Sequence, residues 1–384
     1  MTKLPKILKH KLAKRHRENA LRELNSTSEL VDFSSNDYLG FSKERKISEM
    51  ASNILLRARD YGNGATGSRL LSGNHDLYPN LEDYLSKYHS AEAALVFNSG
   101  YDANLGFFST VPQRGDFVVF DELSHASIRQ GIQLGNAKSY KFKHNDIDDF
   151  IGKVRRIKED SRFKESNIYV ATESVFSMDG DSPDLDALVS YCSDAQIHLV
   201  VDEAHALGVF GKGLVQELGL EEKVFARILT FGKSLGIHGA AILGSKELRD
   251  FLVNFCKSFI YTTGLPPHTL STILAAYHYM DDEHGIEKMG VLKDNIAYFK
   301  GIVQKKELTP NFTASCSAIQ ICNIKGNDRV KSLSKELRDS GFDVRPILSP
   351  TVPKGTERLR FCIHSFNTEK EMEGVLEIVK STLS

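Results

Sequence analysis

Short apolar runs alternate with helix-like segments through the middle of the chain, from about residue 46 to residue 280. The runs lack the polar alternation of a strand that has one face in water, which indicates strands buried on both faces. The predicted strands are 93–97, 117–120, 168–172, 197–201, 228–230 and 240–243. Strands of this kind, separated by helices, predict an α/β fold with a mostly parallel sheet covered by helices.

The pattern changes near residue 285. Beyond this point two strand-like runs, 318–322 and 358–363, alternate with helix-like segments at 290–305, 328–340 and 368–383. Before residue 46 the chain reads as a basic amphipathic helix followed by a loop. We therefore predict an N-terminal helix and loop segment at 1–45, a large domain at 46–284, and a smaller C-terminal α/β domain with an antiparallel sheet at 285–384.

Charge and cysteine content exclude several classes of protein. The 384 residues include 49 basic and 50 acidic side chains, and a net charge of −1 argues against nucleic acid as a partner. No apolar run is long enough for a signal peptide or a membrane span, so we expect no membrane association. The five cysteines are scattered without metal-ligand spacing, which favours a reduced, cytoplasmic protein with no metal site.

Two motifs follow predicted strands that lie about thirty residues apart. The first is Asp-Glu-Ala-His at 202–205, and the second places Lys233 in the small-residue loop Gly-Lys-Ser at 232–234. A lysine amine can form a Schiff base with pyridoxal phosphate, while an acid pairs with the pyridinium nitrogen. Taken singly, Lys233 is equally consistent with a surface lysine and Asp202 with a salt bridge to an arginine. Together they indicate one cofactor.

Three further motifs stand at strand ends, where ligands bind in open α/β sheets. Asn-Ser-Gly-Tyr at 98–101 begins a helix whose N–H groups can hold a phosphate, although a capped helix start without ligand has the same pattern. His125 follows the strand 117–120, where an isolated histidine is more often structural. Ser177 follows the strand 168–172 and can donate to a ring oxygen or a phosphate.

Two nucleotide motifs are excluded by their context. The glycines at 62, 64 and 67 match G-x-G-x-x-G, but a helix-like segment precedes them where the dinucleotide motif needs a strand. The Gly-Lys-Ser at 232–234 ends like a P-loop, but Arg227 occupies the position of the required glycine.

The ordered set of motifs resembles the α-oxoamine synthases, a branch of the fold-type-I pyridoxal-phosphate enzymes, over nearly the whole chain. The matching segments are Ser-Asn-Asp-Tyr-Leu-Gly at 35–40, Gly-Ser-Arg-Leu-Leu-Ser-Gly at 67–73, Ser-Gly-Tyr at 99–101, His-Ala-Ser at 125–127, Phe-Ser-Met-Asp-Gly at 176–180, Asp-Glu-Ala-His at 202–205, Thr-Phe-Gly-Lys at 230–233, Tyr-Thr-Thr at 261–263 with Leu-Pro-Pro at 265–267, and Thr-Val-Pro at 351–353 followed by Gly355, Arg358 and Arg360. The resemblance implies a fold-type-I transferase with pyridoxal 5'-phosphate as cofactor.

The resemblance also implies roles around the cofactor. Lys233 would bind it covalently and act as a catalytic base, and Asp202 would pair with the ring nitrogen. The phenolic oxygen of the ring would be contacted by His205 and Ser177. Residues that would surround the cofactor and its phosphate are Gly100, Tyr101 and Thr230.

Substrate contacts are implied in the same way. His125 would stack over the ring and meet the substrate, and Arg360 would hold the amino-acid carboxylate. Arg22 and Thr351 would contact the acyl substrate, although Arg22 is also explained as part of a solvated basic helix. Contacts across a homodimer, from one subunit to a phosphate in the other, would come from Thr262 and Thr263.

The expected reaction is the decarboxylative condensation of L-alanine with a pimeloyl thioester, carried on CoA or on an acyl carrier protein. Sister reactions that use glycine with acetyl-CoA, or serine with a long acyl thioester, are the alternatives, and a non-catalytic cofactor-binding protein is a more remote one. The family often has Arg-Pro-Pro before Thr-Val-Pro, whereas this chain has Leu-Ser-Pro at 348–350, so recognition of the acyl end is expected to differ.

Overall fold

The computed structural model describes residues 4–21, 24, 29–59, 62–160, 166–349 and 351–383. The chain forms two compact units. The larger unit comprises Asn36–Ser177 and Asp181–Gly290. The smaller unit comprises the described part of Met1–Ser35, the short segment Met178–Gly180, and Val291–Ser384.

The strands and helices are numbered here in chain order. The strands are β1 (Val31–Asp32), β2 (Ala93–Phe97), β3 (Phe117–Asp121), β4 (Lys138–Phe142), β5 (Ile168–Glu173), β6 (His198–Asp202), β7 (Ala226–Thr230), β8 (Ala240–Gly244), β9 (Ile319–Asn323), β10 (Phe342–Asp343), β11 (Arg345–Ile347) and β12 (Arg358–Cys362). The helices are α1 (Lys6–Arg17), α2 (Arg45–Ala58), α3 (Leu77–Tyr88), α4 (Gly100–Thr110), α5 (Ala126–Leu134), α6 (Ile147–Glu159), α7 (Leu185–Asp194), α8 (Leu214–Glu217), α9 (Lys246–Phe255), α10 (Lys257–Ile260), α11 (Pro267–Asp281), α12 (Glu283–Lys305), α13 (Asn327–Asp339) and α14 (Glu369–Leu383).

The larger unit is built on a seven-stranded sheet in the order β2-β8-β7-β6-β5-β3-β4. Strands β3 to β7 run parallel to one another, and β8 is antiparallel to both β2 and β7. Apolar side chains cover both faces, since Val118 and Val200 join one core cluster while Val119 and Val201 join the other. Alternate residues of a strand point to opposite faces, so each central strand must be apolar throughout.

The smaller unit carries the antiparallel sheet β11-β12-β9, and β1 pairs in parallel with β10. The turn Met178–Gly180 is held within this unit, because Arg358 pairs with Asp179 and donates to the carbonyl of Met178 at 2.9 Å. Gly180 has a φ of +74°, and a Cβ there would lie 2.3 Å from the carbonyl oxygen of Ile319. This position therefore requires glycine.

The predicted architecture is confirmed: a mostly parallel sheet covered by helices in the large part of the chain, and an antiparallel sheet in the small part. The N-terminal helix α1 buries none of its residues within this chain. Within the described ranges, no helix is both long enough and apolar enough to cross a membrane.

Candidate active site

Polar side chains collect where the central parallel strands end. Asp121, Glu173 and Asp202 are the last residues of β3, β5 and β6, and Thr230 is the last residue of β7. The register of the sheet pairs Glu173 directly with Asp202. The parallel direction of these strands brings the motifs to one edge of the sheet, as predicted from their positions after strands.

Asp202 is held in a fixed orientation although it is only 6% exposed. One carboxylate oxygen, Oδ2, accepts a hydrogen bond from Asn104 Nδ2 at 2.7 Å, and Oδ1 accepts one from the backbone N–H of Ala204 at 2.9 Å. Arg227 forms its ion pair with Glu203, the residue after Asp202: Arg227 Nη1 lies 3.9 Å from Glu203 Oε2. Asp202 is thus a buried carboxylate held by neutral donors, which suits it to receive a cation.

His125 lies at the start of α5, and the charges of Asp202 and Lys233 both affect its pKa. Its Nδ1 accepts from the backbone N–H of Ser127 at 3.3 Å, so the neutral ring carries its proton on Nε2. Burial lowers the pKa of His125, the Asp202 carboxylate opposes this shift, and the positive charge of Lys233 lowers the pKa further. The structure therefore brings Lys233, Asp202 and His125 into one electrostatic neighbourhood.

Glu173 is a second buried acid at this edge, to which the sequence analysis gave no role. Its Oε1 accepts the backbone N–H of His125 at 2.6 Å. Burial raises the pKa of Glu173 to about 8, and the Asp202 carboxylate adds to this shift, while the His125 N–H and the Lys233 charge oppose it. Burial and the neighbouring Asp202 charge therefore favour the protonated form of Glu173. Only the sheet register, which pairs it with Asp202, shows that the two acids are neighbours.

Tyr38 orients His205. The Tyr38 hydroxyl lies 2.7 Å from His205 Nδ1, and both side chains are buried. This contact fixes the orientation of the His205 ring. Tyr38 lies in the Ser-Asn-Asp-Tyr-Leu-Gly motif, but sequence spacing alone does not connect positions 38 and 205.

A pocket of about 210 Å³ opens beside the loop that carries Lys233. Its lining residues are Asn98, Ser99, Thr230, Gly232, Gly236, Ile237, His238 and Gly239. Gly100 and Thr230 approach each other closely at the start of α4, and we call the space beside them the Gly100 cradle. A Cβ added to Gly100 would lie 3.3 Å from the Cβ of Thr230 and would narrow this space. A helix N-terminus of this kind favours a phosphate.

The larger unit also contains other residues that the sequence predicted to belong to the site. The Tyr101 hydroxyl donates to Gln130 Oε1, and Ser177 follows β5 in the segment that precedes the turn of the smaller unit. Asn98 Nδ2 donates to Thr262 Oγ1 at 3.0 Å and to the carbonyl of Thr263 at 2.8 Å. In the single chain, these threonines thus lie next to the pocket wall.

The substrate residues predicted from the resemblance lie elsewhere in the chain. Arg360 is the middle residue of β12, 8% exposed, and donates through Nη1 to Cys362 Sγ at 2.9 Å. Thr351 is exposed in the loop that follows β11. Arg22 and Pro350 lie outside the described residues.

The residues present fit pyridoxal phosphate. A fixed carboxylate at Asp202 suits a pyridinium nitrogen, the start of α4 with the Gly100 cradle suits a phosphate, and Lys233 supplies an amine in the neighbourhood of both Asp202 and His125. This donor set therefore agrees with the cofactor that the sequence predicted.

Comparison with known proteins agrees with the fold and the cofactor. The family model for aminotransferase class I and II matches residues 28–379. The chain therefore belongs to the aminotransferase class I and II family, and within it to the α-oxoamine synthases, as the motifs indicated.

Particular relatives narrow the resemblance further. The 8-amino-7-oxononanoate synthase of Emericella nidulans is 39% identical over 407 residues, covering 99% of this chain and 97% of that protein. A serine palmitoyltransferase variant from S. paucimobilis with a bound PLP–myriocin aldimine is 27% identical, with a TM-score of 0.86 and coverage of 98% and 96%. The 8-amino-7-oxononanoate synthase of Francisella tularensis is 25% identical, with a TM-score of 0.76 and coverage of 92% and 98%.

Proposed function

We propose that this chain is a pyridoxal-phosphate-dependent acyltransferase that condenses L-alanine with a pimeloyl thioester. The products are 8-amino-7-oxononanoate, CO₂ and the free thiol, a step of biotin biosynthesis. The observation that carries the proposal is the 39% identity to the Emericella nidulans enzyme over almost the full length of both chains. The reaction breaks the thioester and the bond to the alanine carboxyl carbon, and it forms one carbon–carbon bond.

Pyridoxal 5'-phosphate is the cofactor. Lys233 would bind it covalently, and the Asp202 carboxylate, held by Asn104 and Ala204, would supply the negative charge for the ring nitrogen. His205, oriented by Tyr38, and Ser177 would contact the phenolic oxygen. When bound, the cofactor withdraws electrons from the α-carbon of the amino acid, so that bonds to this carbon break more easily.

Proton transfer is the task of the chain's own side chains. The Lys233 amine takes the proton from the α-carbon of alanine and returns a proton after CO₂ has left. His125 would meet the substrate and donate through Nε2, because Nδ1 is engaged with Ser127. Glu173 holds the backbone of His125, and its raised pKa disfavours a second negative charge beside Asp202.

Recognition of the substrates is assigned to residues of the smaller unit and the N-terminal segment. The Arg360 guanidinium binds the carboxylate of the amino acid, for which a planar fork of donors is well suited. Thr351 and Arg22 contact the acyl chain, with Arg22 at the distal carboxylate of the pimeloyl group. The Leu-Ser-Pro sequence at 348–350 adapts this end of the site to its own thioester, on CoA or on a carrier protein.

The second candidate is the condensation of serine with a long acyl thioester. The TM-score of 0.86 to serine palmitoyltransferase, against 0.76 to the Francisella synthase, favours it. We rank it second because the sequence identity to that structure is 27%, compared with 39% to the Emericella synthase.

One assay separates the candidates. The full chain loaded with pyridoxal phosphate is tested with alanine, glycine or serine, each combined with pimeloyl, octanoyl, palmitoyl or acetyl thioesters, and free thiol and CO₂ are measured. Alanine with pimeloyl thioester should give the highest kcat/KM. Serine with palmitoyl thioester as the best pair would replace the proposal with the second candidate, and glycine with acetyl-CoA would point to the other sister reaction.

A homodimer with shared active sites is part of the proposal. Thr262 and Thr263 beside Asn98 are the residues proposed to reach the phosphate of the other subunit. Mixing a Lys233→Ala chain with a chain that carries Thr262→Ala and Thr263→Ala should restore a fraction of the activity, since one of the two mixed sites is intact. A fully active monomer would contradict shared sites.

A further inference from the structure

His144 lies in the loop between β4 and α6 and is held by two carboxylates from different parts of the larger unit. Its Nδ1 lies 3.0 Å from Asp121 Oδ1 and 3.1 Å from Asp121 Oδ2. Its Nε2 lies 2.9 Å from Asp181 Oδ2. The Asp121 side chain is fully buried, whereas those of His144 and Asp181 are 20% and 25% exposed. This cluster has no part in the chemistry proposed above.

Three polar groups face the ring nitrogens of His144: Asp121 at Nδ1, and Asp181 together with the more distant Asn145 Nδ2, at 3.3 Å, at Nε2. A neutral imidazole has one donor and one acceptor nitrogen, so one of its nitrogens would face a carboxylate lone pair to lone pair. Both nitrogens donate only in the imidazolium form. Burial by itself would lower the pKa of His144, but the hydrogen bonds to Asp121 and Asp181 overcome this and raise the pKa to about 10.

Each of these two aspartates also holds a segment that carries a proposed site residue, Asp121 through its carboxylate and Asp181 through its backbone carbonyl. Asp121 Oδ1 accepts the backbone N–H of Leu123 at 2.8 Å, two residues before His125. The carbonyl of Asp181 accepts the backbone N–H of Phe176 at 2.9 Å, one residue before Ser177. The ring of Phe176 also meets the His144 ring edge-on, with 4.5 Å between centroids.

Asn145, the residue after His144, also contacts both Asp121 and Asp181. Its backbone N–H donates to Asp121 Oδ2 at 2.9 Å, and its Nδ2 donates to Asp181 Oδ2 at 2.9 Å. Asn145 has a φ of +52°, in the left-handed region that asparagine tolerates better than most residues. The loop thus presents two consecutive residues, each bridging the same pair of carboxylates.

We infer that His144 is a positioning residue whose ring, held between Asp121 and Asp181, fixes the segments that carry His125 and Ser177 at one edge of the sheet. The sequence analysis assigned this histidine no role. Its significance to catalysis rests on the proposed function, but the positioning itself is a property of the chain and is testable without turnover.

The charge of the ring is tested first, on the full wild-type chain with and without pyridoxal phosphate. In NMR spectra of protein labelled at the histidine rings, one ring should stay doubly protonated from about pH 6 to about pH 9, well above the ordinary histidine range. That signal should be missing from the His144→Gln spectrum. A His144 ring that becomes neutral below about pH 8 would overturn the inference.

Positioning is tested by hydrogen exchange. His144→Gln should speed exchange roughly tenfold in both segments, 122–125 and 174–177, because the ring no longer fixes the two aspartates, Asp121 and Asp181, whose oxygens accept backbone N–H groups of these segments. Asp181→Asn keeps the Asp121 contact and should speed exchange only at 174–177. His198→Gln, a histidine at the start of β6, is the matched control and should change neither segment. Faster exchange confined to 143–146, or equal in both segments for Asp181→Asn, would contradict the inference.

Kinetics then link the residue to the site. In His144→Gln, kcat should fall roughly tenfold while KM for alanine changes less, since misplaced catalytic groups affect the reaction more than binding. If the wild-type chain turns over no acyl thioester, the proposed function fails, and the NMR and exchange results still decide the positioning. If wild type is active and His144→Gln has unchanged kcat, the link of His144 to the site is refuted while the proposed function stands.

Discussion

In the larger unit, His125, Glu173 and Asp202 stand at the ends of neighbouring strands and influence one another directly. Glu173 holds the His125 backbone, and Asp202 shifts the pKa of both. In the smaller unit, Arg360 lies inside a strand, paired in register with Arg345 on one side and Ile321 on the other. The residues of the larger unit are fixed by contacts with one another, whereas Arg360 is fixed by the strands on either side of it.

This difference sets how far the effect of a substitution spreads. A change among the coupled groups alters the charge and orientation of their neighbours, so effects on binding and on chemistry appear together. A change at Arg360 removes one donor group from a strand whose backbone pairing is untouched. The following predictions test this contrast.

Lys233→Ala should have the largest effect. We expect kcat to fall by about four orders of magnitude, because both covalent attachment of the cofactor and the proton-transferring amine are lost. Borohydride reduction and peptide mapping of the parent protein should place the cofactor on Lys233. Lys246→Ala, at the exposed start of α9, is the control and should leave kcat unchanged. A label on another lysine would overturn the proposed mechanism.

His125→Ala should lower kcat by about 10² to 10³ while cofactor absorbance is largely retained, since the ring acts on the substrate and does not anchor the cofactor. Side reactions such as transamination should increase. The measurement is steady-state condensation together with the visible spectrum. If turnover is unaffected, His125 serves only to cap α5.

Arg360→Lys should raise KM for the amino acid by about tenfold to a hundredfold with a smaller change in kcat. The reason is the loss of a bidentate contact worth about 1.5–3 kcal/mol. Arg345→Lys, its register partner on β11, is the matched control because Arg345 instead pairs with Asp343. Equal effects of both substitutions would mean that the sheet, and not the substrate, needs the guanidinium.

His144 and Glu173 should each make a contribution to the free energy of unfolding of the cofactor-free protein that decreases as the pH rises. His144 has a pKa raised from 6.5 to about 10, so its stabilisation is complete below 6.5 and is lost as the pH approaches 10. Glu173, raised from 4.5 to about 8, acts in the same direction between those values. We expect roughly 1–3 kcal/mol for each group, measured by urea unfolding.

Variants separate the two contributions to this pH dependence. Glu173→Gln should flatten the change below about pH 8, and His144→Gln should flatten it at higher pH. The neighbouring charges that set these values are Asp121, Asp181, Asp202 and Lys233. The same pH dependence in wild type and in both variants would contradict both assignments.

Tyr38→Phe should have the smallest effect, about fivefold on the dissociation constant of pyridoxal phosphate. It removes one hydrogen bond to His205, worth about 1 kcal/mol, and keeps the buried ring. Spectroscopic titration with the cofactor measures it. Tyr140→Phe on the exposed strand β4 is the control and should leave this dissociation constant unchanged. If Tyr140→Phe weakens cofactor binding as much as Tyr38→Phe does, the Tyr38–His205 contact has no specific role in cofactor binding.

The sequence predicted most strands of the larger unit because they are buried on both faces and therefore apolar throughout. The run 93–97 coincides with β2 residue by residue. It did not predict β4, because Lys138, Ser139, Tyr140 and Lys141 of this edge strand are exposed and show no apolar signal. Nor did it predict that β8 runs antiparallel, since the side-chain pattern of a buried strand is the same in either direction.

For the site, the sequence by itself determined which residue types stand at the ends of which strands: Lys233, Asp202, His205 and His125 follow from motifs in the chain. Only the tertiary structure decided which of them are neighbours. The pairing of Glu173 with Asp202, and of Tyr38 with His205, joins residues 29 and 167 positions apart. Strand order and register create such contacts, and with them the buried charges that shift each pKa, so no local pattern can encode them.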